Sequence, residues 1–265
     1  MVSEPLVPRP AATVLMVRDS PTGFEVLMLR RNLNSDFVGG AYVFPGGGVD
    51  AADATSTAEH RVEGLNDLDA SERLGLDAGG LAYYVACLRE LFEEAGLLVA
   101  RDESDALVRF DDDEIIRRFA GHRRAVNARE VRFLDVMTTE NLRLDLRALE
   151  YFAHWVTPVG PPRRFDTRFF VALAPAGQLA AHDAGETVAD EWIRPADALA
   201  RHRRGELEMI FPTIRNLELI EHLDSAAAVL EFARSRRDIV RIEPRIVERD
   251  GGIAILIPGD DGFEG

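Results

Sequence analysis

Near-continuous apolar runs at Ala11 to Val17 and Glu25 to Arg30, separated by turn residues at Asp19 to Gly23, predict two strands joined by a turn. AYVF at Ala41 to Phe44 continues as a strand into Pro45-Gly46-Gly47-Gly48. Helical spacing sets in at Gly80. Within GLAYYVACLRELFEEAGLLV, Leu88, Leu91, Phe92 and Ala95 recur at helical spacing and predict a helix that docks on a sheet. Gly96 stands where a left-handed C-terminal cap is expected, with Leu97 to Val99 as the next strand. Further helices are predicted from Asp111-Asp112-Asp113-Glu114 through Phe119 and around Glu130 to Met137. Ala153 to Pro158 and Arg168 to Ala174 read as strands, and Glu186 to Trp192 as a loop entering another. Helices over Pro195 to Arg203, Pro212 to His222 and Ser225 to Arg236 precede a hairpin of Ile239 to Val247 and Gly252 to Ile257.

One face of the Gly80 helix is chemically conspicuous. Glu90, Glu93 and Glu94 stand at i, i+3 and i+4, so three carboxylates crowd one side beside Arg89. Like charges at this spacing cost roughly 0.2–0.5 kcal/mol per pair. Such clusters ordinarily mark a solvated face; a hard divalent cation is the alternative that would offset the repulsion. The segment Ala54 to Gly79 is polar and rich in small residues. Ser56-x-x-Glu59 fits a capping box there, and Leu65, Leu68, Leu74 and Leu76 are placed to pack it down. It is expected to be either a surface excursion or a wall over a site.

Composition narrows the function. A formal charge of −15 argues against a general nucleic-acid or membrane-surface binder, and it obliges an anionic substrate to find arginines and a cation locally. The single cysteine, Cys87, allows no internal disulfide and reads as a core residue. With no signal-like start, no spanning apolar run and no terminal targeting tripeptide, the expected location is cytoplasmic. The sequence leaves room for a homodimer.

Gly47, Asp53 and Arg89-Glu90-Leu91-x-Glu93-Glu94-x-Gly96-Leu97 resemble the Nudix hydrolase signature, G-x5-E-x7-R-E-U-x-E-E-x-G-U. Asp53 replaces the first Glu, and 35 residues rather than seven separate it from Arg89. Leu27, Arg31, Gly40 and Phe44-Pro45-Gly46-Gly47 match the upstream pattern of the family's coenzyme A diphosphatases, with Asn32 for Ser and Asp36 for Arg. WVTP and RRFDTRFF resemble the branch that includes the peroxisomal coenzyme A diphosphatases, which also carry a long insertion inside the box.

This resemblance implies one α/β/α Nudix sandwich with a mixed sheet over residues 1–265, an insertion at 54–79 and a C-terminal helical and hairpin extension at 206–265. It implies metal-dependent hydrolysis of a pyrophosphate bond in a nucleoside diphosphate derivative, with coenzyme A or acyl-coenzyme A as the substrate class. An ADP-ribose or NADH-type pyrophosphatase and a non-catalytic nucleotide-sensing module are the alternatives. Mg2+ or Mn2+ would be held by Glu90, Glu93 and Glu94 with a backbone carbonyl of Gly46 or Gly47. Arg89 would orient a carboxylate, Asp53 would anchor the loop, and Glu90 or Glu186 would serve as general base. Arg31, Arg163, Arg164 and Arg168 are the candidates for substrate phosphate.

Overall fold

The computed structural model describes residues 6–33, 39–183, 185–249 and 252–263. Strands β1 (Arg9–Ser20) and β2 (Gly23–Arg31) form a hairpin, paired only over Val17–Ser20 and Gly23–Val26 before they diverge. Into the wedge come β3 (Tyr42–Val43), paired with Leu29 and Arg30, and β4 (Gly46–Gly48), paired with Ala11–Thr13. A 3-10 turn (Ala51–Ala54), α1 (Ser56–His60), β5 (Val62–Glu63) and α2 (Asp67–Leu74) lead to α3 (Gly80–Ala95). Next come β6 (Ala100–Arg101), α4 (Asp113–Asn127), α5 (Phe133–Thr139), β7 (Arg143–Asp145), β8 (Glu150–Val156) and β9 (Phe165–Leu173). The chain closes with β10 (Thr187–Ile193), α6 (Pro195–Arg203), α7 (Phe211–Ile220), α8 (Ala226–Ser235), β11 (Arg241–Ile242), β12 (Arg245–Arg249) and β13 (Gly252–Leu256).

The main sheet runs β10-β2-β1-β9-β8-β11 and is mixed: β1 lies parallel to β9, while β1–β2, β2–β10 and β8–β9 are antiparallel. Period-two alternation serves two cores. Val14, Met16, Leu27, Leu29 and Phe170 face the core built with α3, while Leu15, Val17, Val26, Met28 and Val171 face the core under α6, α7 and α8. The sandwich is therefore α/β/α, as expected from the sequence. Helices α7 and α8, read from the sequence as part of an extension, supply its second helical layer.

The insertion differs from both expectations for it. Its β5 joins β7 and β6 in a small second sheet, and Ala58, Leu65, Ala70 and Leu74 are buried in the α3 core. Leu68 is exposed. Helix α3 has no side-chain cap of its own; α2 supplies it. The Asp67 carboxylate accepts from the N–H groups of Gly79 and Leu81, and Ser71 Oγ accepts from Gly80 N–H at 2.9 Å. A Cβ on Gly80 would lie 2.3 Å from Ser71 N, so this glycine lets α2 sit directly on the start of α3. The segment is a buttress for the acidic helix, not a surface excursion, and none of residues 54–79 lines the carboxylate cavity described below.

Smaller corrections follow from capping and pairing. Thr55, not Ser56, is the N-cap of α1, without a side-chain hydrogen bond, so the Ser56–Glu59 box does not form. The reciprocal box is instead Asp50–Asp53, at the turn before it. Leu97 to Val99 are buried outside any strand, held through Gln178 on Leu98 and the Asp145 N–H on Val99 O, and the strand begins at Ala100. Arg241–Ile242 joins the main sheet beside β8, so the terminal hairpin begins only at Arg245. Asp36 and the Asp250-Gly251 turn lie outside the described residues.

Candidate active site

Fourteen of the sixteen residues of α3 are buried; Glu90 and Glu93 are half-buried. That burial rules out the solvated-face reading of the acidic cluster. The helix ends at Gly96, whose φ of +69° is the left-handed conformation expected of the cap, and Gly96 N–H donates to Phe92 O. The free Glu93 carbonyl accepts from Arg123 Nε at 2.8 Å and Asn127 Nδ2 at 3.2 Å, tying α4 over the acidic end.

Arg89 is the hub. Its Nε and Nη2 form a fork on Asp53 at 2.9 and 3.0 Å, Nη2 also donates to Gly48 O, and Nη1 donates to Glu90 and Glu93 at 2.7 and 3.2 Å. Asp53 is 2% exposed, so the anchor expected from the sequence is a buried ion pair across the whole insertion. Burial would lower the Arg89 pKa, but the hydrogen bonds it donates to Asp53 and the charges of Glu90, Asp53 and Glu93 outweigh it and raise it. Gly46 meets the cluster through its N–H, which donates to Glu94 at 2.9 Å. A Cβ on Gly47 would fall 2.5 Å from the Glu90 carboxylate, so glycine is what lets the loop approach this face.

Glu90, Glu93, Glu94, Arg89, Asp50, Asp53 and Glu186 line one cavity of about 480 Å³. Glu186 is exposed and pairs with Arg31 at 2.7 Å, while Asp183 holds its loop by accepting from the N–H groups of Glu186 and Thr187. Desolvation pushes the Glu90 pKa up to about 7, with Glu93 and Glu186 adding to the rise against Arg89. Desolvation likewise raises Glu93, and raises Glu94 well above the usual range, with repulsion from Glu90 and Glu186. Among the described residues no three carboxylate, imidazole or thiol groups already converge on one point. The donor set nevertheless fits a hard cation: buried carboxylate oxygens, strained by mutual repulsion and short of counter-charge, with no sulfur or imidazole among them. Glu90, Glu93 and Glu94 would hold it.

The raised acids make a stability prediction. A carboxyl with a folded-state pKa above its unfolded value contributes stability that is fully present below the unfolded value and is lost as pH rises through the folded one. In EDTA, wild-type protein should therefore lose about 3 kcal/mol relative to Glu90→Gln between pH 4.5 and 7, at 1.36 kcal/mol per unit, from the rise of Glu90 alone. Denaturant unfolding of both proteins across that range measures it; parallel curves would contradict the assignment.

The four arginine candidates separate. Arg31 stands beside the site, held by Glu186, and also lines a neighbouring apolar cleft. Arg164 is buried with its donors given to Thr157 O, Pro158 O, Leu6 O and Glu243, so it braces the β8–β9 connection rather than facing the cavity. Arg168 is buried on β9, pairs with Asp166 and lies over the Tyr83 ring at 4.9 Å, away from the carboxylates. Arg163 is exposed and lines none of these cavities. Sequence reasoning missed Arg129 and Arg132. Both line the carboxylate cavity because the α4–α5 turn, where Arg129 takes a φ of +58°, folds back over the end of α3. A glycine-free turn between two amphipathic helices gave no signal for that approach.

Comparison with known proteins agrees with this geometry. The family described as NUDT19 Nudix domain matches residues 66–220, more than half of the chain. Acyl-coenzyme A diphosphatase NUDT19 of Xenopus laevis is 26% identical over 92% of this chain and 72% of its own length. The protein of that name from Gallus gallus is 27% identical over 96% and 79%. A crystal structure of a NUDIX hydrolase from Alicyclobacillus acidocaldarius superposes with a TM-score of 0.65 at 30% identity, covering 88% of this chain and 98% of that one. With the acidic helix, its arginine hub and its glycine loop intact, the chain belongs to the Nudix hydrolase family and is a pyrophosphohydrolase dependent on a divalent cation.

Proposed function

We propose that the substrate is coenzyme A or an acyl-coenzyme A, and that the cation is Mg2+ or Mn2+. The observation that carries this reading is an apolar cleft of about 390 Å³ abutting the glycine loop. Gly46, Gly47 and Arg31 form its inner edge, and Phe44, Trp155, Phe165 and Phe211 are among its walls. A diphosphate at the carboxylates would thus have one side on polar ground and the other against a surface suited to a long, weakly polar arm. The names of the relatives support the same substrate class.

In this reading Arg31, Arg129 and Arg132 neutralise substrate phosphates, and Arg89 keeps Glu90 and Glu93 in their orientation. The bound cation would lower the pKa of water and neutralise charge developing on the diphosphate. Glu90 or Glu186 accepts the proton of the attacking water; one P–O bond forms, the P–O–P bridge breaks, and a phosphopantetheine and adenosine 3′,5′-bisphosphate leave. Among the described residues no helix is long and apolar enough to cross a membrane, and we place the protein in the cytoplasm.

The ratio of kcat/KM for coenzyme A and its 3′-dephospho form tests the substrate, with at least a tenfold preference for coenzyme A expected. Equal values would favour a general ADP-linked pyrophosphatase. Phe211→Ala tests the cleft. Losing an aromatic wall worth about 1.5–3 kcal/mol should raise KM for an acyl-coenzyme A roughly tenfold or more with kcat nearly unchanged. An unchanged KM would move the arm elsewhere.

A further inference from the structure

Alternation along β8 and β9 divides their side chains between two faces. Trp155, Thr167 and Phe169 line the apolar cleft, whereas His154, Asp166 and Arg168 open on a separate cavity of about 870 Å³. The second cavity lies between the end of α2, the β8–β9 edge and the segment after α8, and shares no lining residue with the carboxylate site. In a chain of net charge −15, it gathers Arg73, Arg168, Arg234, Arg236, Arg237 and Arg241 against four carboxylates, Glu72, Glu150, Asp166 and Asp238.

Internal pairing leaves much of this charge uncommitted. Arg234 takes Glu150 at 2.7 Å, Arg241 takes Glu243, and His154 and Arg168 share Asp166. Arg236 donates to the Phe152 carbonyl and packs on the Phe152 and Phe232 rings, with no carboxylate paired to it among the described residues. Arg237 is exposed and has no ion pair among the described residues. The decisive group is Arg168: it is 4% exposed, yet its Nε finds no acceptor among the described residues. A buried donor left without a partner is destabilising, and an arriving acceptor relieves that cost.

We propose that this cavity binds a phosphate monoester dianion, whose oxygens accept from Arg168 Nε while Arg236 and Arg237 supply charge from the opposite wall. Arginine forks suit phosphate oxygens, and the volume leaves room for an organic group on the ester. The phosphate has two sources: a free phosphorylated metabolite, or a phosphate carried by the substrate itself. Arg168 lies against Tyr83, in the first turn of the helix that ends in Glu90, Glu93 and Glu94. An anion here therefore acts on the element that carries the catalytic carboxylates.

Calorimetric titration of the full chain in EDTA with inorganic phosphate, then with adenosine 3′-monophosphate, tests the site without turnover. One saturable site is expected, weakened tenfold or more by Arg237→Glu and by Arg168→Gln, and unchanged in Glu94→Gln. Arg168 is buried and its variant is open to misfolding; Arg237 is exposed, so its variant decides alone. Absence of saturable binding, or equal affinity in Arg237→Glu, overturns the proposal. Kinetics then separate the sources, either result upholding the site. Inhibition by phosphate only against a 3′-phosphorylated substrate, lost in Arg237→Glu, assigns the substrate's own phosphate. An effect on kcat with a dephospho substrate as well, also lost in the variant, assigns a free effector. Because binding is read without cation or hydrolysis, its failure leaves the diphosphatase reading standing, and the converse holds.

Discussion

Glu94→Gln is expected to fold normally and to lose on the order of a hundredfold or more in kcat, several kcal/mol of transition-state stabilisation. Glu94 is 5% exposed and accepts the Gly46 N–H through one oxygen, a contact that the glutamine carbonyl can keep. What the substitution removes is a charge that burial and the neighbouring Glu90 and Glu186 already disfavour. Thermal stability in EDTA should therefore hold or rise while activity falls. That opposite movement separates a functional carboxylate from a structural one, since a structural ion pair loses stability when broken. Wild-type protein should be inactive in EDTA and recover with millimolar Mg2+ or Mn2+. Full activity in EDTA, or an undiminished Glu94→Gln enzyme, would remove the cation from this face.

The acidic helix was legible because its signals are local. Spacing sets the face of Glu90, Glu93 and Glu94, Gly96 sets the end, and Asp53 lies at a motif distance from Gly47. The β1–β2 hairpin and α6 were legible for the same reason, with a two-residue turn and a first-turn proline as punctuation. What failed was long-range. Nothing in Asp67 or Ser71 announces that they cap a helix more than eight residues later, so the insertion read as a surface excursion or a wall over the site. Arg163 and Arg164 in one loop and Arg168 at the head of the next strand looked equivalent as cations. The strand they enter sends Arg168 to the α3 face, while Arg164 turns into the loop carbonyls. Register, which follows from tertiary pairing, decides such cases and composition does not. The upstream Arg31 was recognisable from its spacing to the glycine loop, but its partner Glu186 is 155 residues away in sequence.

Arg89→Met is expected to cost about 3–5 kcal/mol, because it leaves the Asp53 carboxylate, 2% exposed, with a buried charge and no cation. For a chain of this size that corresponds to a fall in Tm of roughly 5–10 °C. Asp53 would keep the Asp50 N–H at 2.8 Å, while Gly48 O and the Glu90 and Glu93 carboxylates would lose a shared donor. Activity should therefore fall even where the protein remains folded, since two carboxylates lose the group that orients them. Arg89→Lys restores charge without the fork, and should recover part of the stability and little of the activity. The double variant Asp53→Leu/Arg89→Met removes both charges together. Its loss should be at least 2 kcal/mol smaller than the sum of the single losses, by the coupling expected of a buried pair in direct contact. Urea unfolding of the four proteins closes the cycle. Additive losses would mean that the pair is incidental, and that the 35 intervening residues hold the loop on α3 without it.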